Sequence, residues 1–276
     1  MTWVAADPSL AKKAVADLVA GPFAMWAGSA RQIRRAIEAL YADELTERAV
    51  RGLMTHAPQD SAAMRLSPGQ CIALPLLAAG AALLTALYPQ TALAVFSVAL
   101  SICFLAVSAL RGVSILLSAA GRETAEELAY ERHGPGPVDE LPVYTIMVPL
   151  FREANVLPPL TDALKRLNYP PSKLDIKLIF EACDAESYEA AKALNLPGHF
   201  DFIRVPESAP QTKPKACNFA LPFARGDYLV IYDAEDLPEP NQLLKAVAAF
   251  HLNDPKLACL QSQLNYYNWS ENWLTR

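Results

Sequence analysis

Between Arg65 and Arg111 the chain carries no charged residue and no histidine. Two apolar runs lie in that gap, Cys71 to Tyr88 and Thr91 to Leu110, separated by Pro89-Gln90. Each is close to the ~20 residues that an α-helix needs to cross the hydrocarbon core of a bilayer. A soluble fold would have to bury both runs, and so long a gap without charge is rare in a soluble core. Residues 67–120 are therefore expected to form a transmembrane hairpin with its tip at Pro89-Gln90. The runs start far from Met1 and lack a small-residue cleavage site, so they do not read as a signal peptide. Arg48, Arg51 and Arg65 precede the pair, and Arg111 and Arg122 follow it. The positive-inside rule then puts both flanks in the cytoplasm. The expected location is a bacterial-type inner (plasma) membrane, multi-pass, with the soluble part cytoplasmic.

Four regions follow from this division. Residues 1–66 are expected to be a helical cytosolic segment, with apolar stripes at Leu10, Val15, Leu18 and Val19 and at Ile33, Ile37, Leu40 and Tyr41. Residues 67–120 are the hairpin, and Gly112 to Ala120 either prolongs its second helix or lies on the bilayer surface. Residues 121–140 are a charged linker containing His-Gly-Pro-Gly-Pro. Residues 141–276 form a separate soluble domain. A net charge of -5 supplies no basic footprint, so nucleic acid is not an expected partner. The cysteines are odd in number and lack metal-ligand spacing, which suits a reducing compartment.

From Leu141 the pattern alternates between β and α. Strands are expected at Tyr144–Leu150, Ile176–Phe180, Phe200–Val205 and Tyr228–Tyr232, with a final strand-like run at 257–264. Helices are expected at 154–167, 185–194, 215–223 and 241–253. Such alternation argues for an α/β domain with a mainly parallel sheet. Ligands bind such sheets beyond the carboxyl ends of the strands. Polar groups follow three of those ends: Arg152 and Glu153, Asp184 and Glu186, and Asp233 to Asp236.

The last of these is the sharpest. Leu229-Val230-Ile231-Tyr232 is an apolar run that stops in Asp233-Ala234-Glu235-Asp236, with Pro238 and Pro240 beyond. Alternation along a strand lets Asp233 and Glu235 face the same way. Carboxylates at the end of a buried strand must stay solvated or find a cation. They suit a hard divalent metal held against a phosphate-bearing ligand. An acidic, proline-rich turn is the plainer reading. No Gly-rich phosphate loop is present, so a phosphate ligand would need metal or basic side chains.

Val148-Pro149-Leu150-Phe151-Arg152-Glu153-Ala154-Asn155, then Asp184, then Lys213-Pro214-Lys215-Ala216-Cys217-Asn218, then Tyr232-Asp233-Ala234-Glu235-Asp236 together resemble the family 2 glycosyltransferases of GT-A fold. The membrane-embedded, cellulose-synthase-like branch is the most similar. The resemblance covers about Leu141 to Arg276. It implies an incomplete GT-A domain, Rossmann-like with a mainly parallel sheet, behind a two-helix membrane hairpin. It implies binding of a nucleotide-diphosphate sugar and inverting sugar transfer to a polysaccharide or lipid acceptor.

Residue by residue, the resemblance places Asp233 and Glu235 at the metal-binding D-x-D motif, with Mg²⁺ or Mn²⁺ as the cofactor and Glu235 in place of the second aspartate. Asp184 stands where the family hydrogen-bonds the nucleobase, although Ala182 and Cys183 precede it where many relatives carry an acid. A helix N-cap is the structural alternative for Asp184. Glu153 follows Arg152 where Asn-Glu is common and would accept from ribose or base; an ion pair is its alternative. Lys213, Lys215 and Asn218 match a segment lining the nucleotide pocket, against a solvated loop as the alternative. The family's catalytic base, in a Thr-Glu-Asp or similar motif, and its Gln-x-x-Arg-Trp motif would lie beyond residue 276, so no catalytic residue is nominated. A non-catalytic membrane protein that keeps only a nucleotide- or partner-binding remnant is the alternative function.

Overall fold

The computed structural model describes residues 30–62, 66–119, 130–131, 134, 138–252 and 256–262. Its elements are α1 (Ala30–Leu40), α2 (Ala42–His56), α3 (Pro68–Leu87), α4 (Pro89–Ala119), β1 (Tyr144–Leu150), α5 (Leu157–Lys165), β2 (Leu174–Glu181), α6 (Ala185–Ala193), β3 (Phe200–Val205), α7 (Lys213–Ala220), β4 (Tyr228–Ile231) and α8 (Gln242–Leu252). The chain divides into two compact units. One comprises Met1–Glu123 with Ser208–Pro222, and the other Thr124–Glu207 with Phe223–Arg276. The segment carrying α7 thus groups with the N-terminal part, although it lies inside the stretch read as a single domain. The expected helical pattern before Ala30, most of the 121–140 linker and residues 263–276 lie outside the described residues.

In the first unit, α3 starts on a reciprocal cap. The Gln70 amide N–H donates to Ser67 Oγ at 3.3 Å, and the Ser67 N–H donates to Gln70 Oε1 at 2.8 Å. Pro68 fills the first turn, where its missing N–H removes no helix bond. At Tyr88 the chain leaves helical geometry (φ -137°), and α4 begins at Pro89. Gly112 to Ala119 continues α4, which settles its two alternatives in favour of a prolonged helix. Helix α4 has 31 residues, and its charge-free part, Pro89–Leu110, is about 33 Å long at helical rise.

Neither α3 nor α4 buries any of its apolar window, and Phe104 and Leu116 are each 72% exposed. That excludes the role of core helix within this structure. Both helices are long and apolar enough to cross a membrane. Their hydroxyls fold back on their own helices, from Thr85 to the Ala81 carbonyl at 2.8 Å, Ser101 to Ser97 at 2.8 Å and Ser114 to Leu110 at 2.9 Å. Without water, a hydroxyl needs such an internal acceptor. Helix α2 packs along α7, where the Asn218 amide donates to the Ala49 carbonyl at 3.0 Å.

The second unit is α/β. Its four strands are all parallel, in the order β3-β2-β1-β4. Leu157, Leu160 and Leu164 recur at helical spacing on α5 and are almost fully buried. They join Ile146, Val148, Ile176, Leu178 and Phe180 from the sheet, and Leu243 and Val247 from α8, in one core. Cutting Leu160 to alanine is expected to cost about 2–5 kcal/mol through the cavity it leaves. Tyr228 of β4 stacks on Phe250 of α8, with ring centroids 4.7 Å apart. Residues 257–262 form no strand, which corrects the reading of a final strand there.

The amino end of the sheet carries a buried charged network. Register places Thr145 beside Asp175, and Lys177 beside Asp201. Lys177 Nζ lies 2.9 Å from Asp175 Oδ1 and 3.1 Å from Asp201 Oδ2. Asp175 Oδ2 accepts from Thr145 Oγ1 and from the Arg225 amide, each at 3.0 Å, and Oδ1 accepts from Arg225 Nε at 3.0 Å. Burial alone would raise the Asp175 carboxyl, but the charge of Lys177 and these hydrogen bonds hold it below the ordinary aspartate value. The Gly226 N–H caps Thr145 Oγ1 at 2.8 Å, and a Cβ there would stand 2.4 Å from the Thr145 amide nitrogen. Only glycine allows that approach.

Candidate functional site

The strand order fixes where a ligand crevice belongs. From β1 the chain steps outward to β2 and β3, then returns to the far side of β1 as β4. The direction of winding reverses between β1 and β4, and parallel sheets bind ligands beyond the strand ends at such a point. Glu153 follows β1 there, and Asp233 and Glu235 follow β4.

Strand β4 stops at Ile231, one residue before the expected Tyr232, and the acidic residues follow its end on a turn. The Asp236 N–H donates to the Asp233 carbonyl at 3.0 Å, and the Asp233 N–H donates to Asp236 Oδ2 at 2.7 Å. Side chains still alternate along the segment. Tyr232 and Ala234 are buried in the core, while Asp233 and Glu235 are exposed. The Tyr232 hydroxyl anchors the inward face through Gln242 Oε1 at 3.0 Å. Two apolar anchors therefore turn two carboxylates outward.

Asp184 is 5% exposed and caps α6. Its Oδ1 accepts from the Ser187 amide at 3.1 Å, and its Oδ2 from the Arg152 amide at 2.6 Å. Burial works to raise this carboxyl, but the Arg152 and Ser187 hydrogen bonds prevail and lower it. The helix-cap alternative is thus present in the structure, and the same carboxylate also reaches the loop after β1. In that loop Arg152 is left-handed (φ 59°), and the Glu153 N–H donates to Ser187 Oγ at 3.0 Å.

Glu153 is half-buried. Burial raises its carboxyl most; a weak hydrogen bond from the Phe151 amide lowers it; the charges of Glu235, Asp233 and Asp184 raise it further. All four acids therefore share one electrostatic neighbourhood. Among the described residues no three His, Cys, Asp or Glu side chains converge as a metal-holding group. Two exposed carboxylates on one turn nonetheless suit an ion such as Mg²⁺, which binds one or two protein carboxylates and takes phosphate oxygens and water for the rest.

The three remaining candidates belong to the other unit. Lys213 begins α7 and is exposed. Lys215 is 2% exposed, and its ammonium donates to the Ser208 carbonyl at 3.0 Å. Asn218 joins α7 to α2, as described above.

Sequence reasoning passed over Ser187 and the Asp175 network. A capping signal could have found Ser187, which stands three residues after Asp184 and donates to it. The Asp175 network is harder to see: apart from Lys177, two positions away, the partners of Asp175 stand 30 and 50 positions off in the sequence.

The sequence profile described as Glycosyl transferase family 2 matches residues 145–276. The chain is 24% identical over 156 residues to "Probable glycosyltransferase YdaM" of Bacillus subtilis (strain 168), covering 54% of this chain and 36% of that one. It is 27% identical over 159 residues to "Probable glucomannan 4-beta-mannosyltransferase 7" of Oryza sativa subsp. japonica, covering 54% and 26%. The chain thus spans roughly a third or less of the curated relatives it matches. Among solved structures it is similar to "Mannosyltransferase PcManGT from Pyrobaculum calidifontis in complex with GDP-Man and Mn2+", at 26% identity and a TM-score of 0.36, covering 51% of this chain and 44% of that one.

Proposed function

We infer, from a domain at residues 145–276 that belongs to glycosyl transferase family 2, that the chain works as a membrane-bound glycosyltransferase. It binds a nucleotide-diphosphate sugar, and the sugar passes with inversion to a polysaccharide or lipid acceptor. Helices α3 and α4 cross the bilayer as a hairpin, and the α/β domain lies on the cytoplasmic side. The arginines flanking the apolar helices support that orientation.

One observation carries the reading: Glu153 follows β1 and Asp233 and Glu235 follow β4, the two neighbouring strands between which the sheet's winding reverses, and Glu153 lies within reach of the charges of both. Glu153 and Asp233 contact the donor, and Asp184 shapes its pocket. The family resemblance implies donor-binding roles for Lys213, Lys215 and Asn218 as well. Asp233 and Glu235 would hold Mg²⁺ or Mn²⁺, which when bound offsets the negative charge of the leaving diphosphate. These two carboxylates turn to the exposed side, while Tyr232 and Ala234 hold the turn in place.

Binding of GDP and of UDP to the full chain in detergent, with and without Mn²⁺, tests the reading. At least one nucleotide should bind in a Mn²⁺-dependent way, and Asp233→Ala should abolish that binding with the fold intact. Metal-independent binding, or binding unaffected by Asp233→Ala, would overturn it.

A further inference from the structure

We propose that Ser187, together with Asp184, is a positioning clamp that holds Glu153 at the donor site through the backbone of the loop after β1. The proposal rests on the reading that Glu153 contacts the donor.

Three hydrogen bonds carry it. Ser187 Oγ accepts from the Glu153 N–H at 3.0 Å, Asp184 Oδ2 accepts from the Arg152 N–H at 2.6 Å, and Asp184 Oδ1 accepts from the Ser187 N–H at 3.1 Å. Ser187 is fully buried, so its hydroxyl has no solvent to turn to. One residue therefore fastens the first turn of α6 to the loop and also braces the aspartate that grips the neighbouring amide.

The loop needs such a fastening for two reasons. Arg152 occupies the left-handed region at φ 59°, which residues other than glycine adopt only when their surroundings impose it. Glu153 also stands in the field of three like charges, Asp184, Asp233 and Glu235, which repel it when ionised. Left to itself, the loop would relax toward ordinary backbone angles and away from the acidic turn. Two consecutive amides held by two buried acceptors oppose both tendencies. The clamp thereby sets the acids in place before any ligand arrives, which is where pre-organisation contributes most to binding.

The test is a double-mutant cycle between Ser187→Ala and Glu153→Gln on the full chain in detergent, reading Mn²⁺-dependent binding of GDP and UDP. Ser187→Ala is expected to weaken binding about tenfold when Glu153 is present and to add no further loss in the Glu153→Gln background. An equal loss in both backgrounds would make Ser187 a general structural residue and overturn the clamp alone. A silent Glu153→Gln, with binding otherwise intact, would remove Glu153 from the donor site and take the clamp with it. A backbone pair guards against misfolding of the Ser187 variant. Arg152→Val and Arg152→Asn both delete the guanidinium, but only valine is barred from the left-handed region. Arg152→Val should match the Ser187→Ala loss, and Arg152→Asn should bind markedly better than Arg152→Val. Equal behaviour of the two would overturn the proposal.

Discussion

Asp175 and Glu153 sit at opposite ends of the same parallel sheet, and their carboxyls are pushed in opposite directions. Both are disfavoured as ions by burial. At the amino end, Lys177 and Arg225 answer with positive charge and hydrogen bonds, and Asp175 is held as a carboxylate. At the carboxyl end, Asp233, Glu235 and Asp184 add negative charge, and Glu153 is driven toward its protonated form. The first arrangement is closed and serves the fold. The second is held together by core anchors and backbone hydrogen bonds in spite of its charge, which fits the proposed binding of a cation together with its ligand.

The contrast is most exposed at Asp175. Replacing it with alanine leaves buried Lys177 with half its partners and should destabilise the domain by about 3–5 kcal/mol, measured by urea unfolding. A loss below about 1 kcal/mol would mean that the amino-end network does not serve the fold. Gly226→Ala should come next, at about 2 kcal/mol, because the new methyl would press on the Thr145 backbone. Acid titration adds a third measurement. The folded Asp175 carboxyl lies below its unfolded value of about 3.9, so its contribution is complete above that value and drains away as pH falls beneath it. Asp175→Ala should flatten that part of the stability profile. The smallest stability effect belongs to the other end. Asp233→Ala should change unfolding free energy by no more than about 0.5 kcal/mol, since the side chain is exposed. A large loss there would erase the distinction between the two ends.

Much of the architecture was legible because apolar runs have clear punctuation. Phe200–Val205 lies between Pro197-Gly198 and Pro206, and the structure returns those bounds. Strand β2 is longer than the sequence suggests, Leu174–Glu181 rather than Ile176–Phe180, because charged Asp175 and Glu181 look like breaks until their buried setting is known. Helix α5 starts at Leu157 rather than 154, since Pro158 and Pro159 fit only its opening turn. At the site, the strand-end carboxylates could be nominated from alternation and strand logic alone. The left-handed Arg152 and the grip of Asp184 on it could not, because that contact spans 32 residues and depends on how two loops meet. The link from Asn218 to Ala49, 169 residues away, was hidden for the same reason.

Among the described residues, strand β4 closes one side of the sheet with only four residues, all half-buried. An outermost strand is a template, since its backbone recruits any extended segment without checking the sequence. Its shortness limits how many rungs such a visitor could form, so brevity itself guards the domain against sticking to copies of itself.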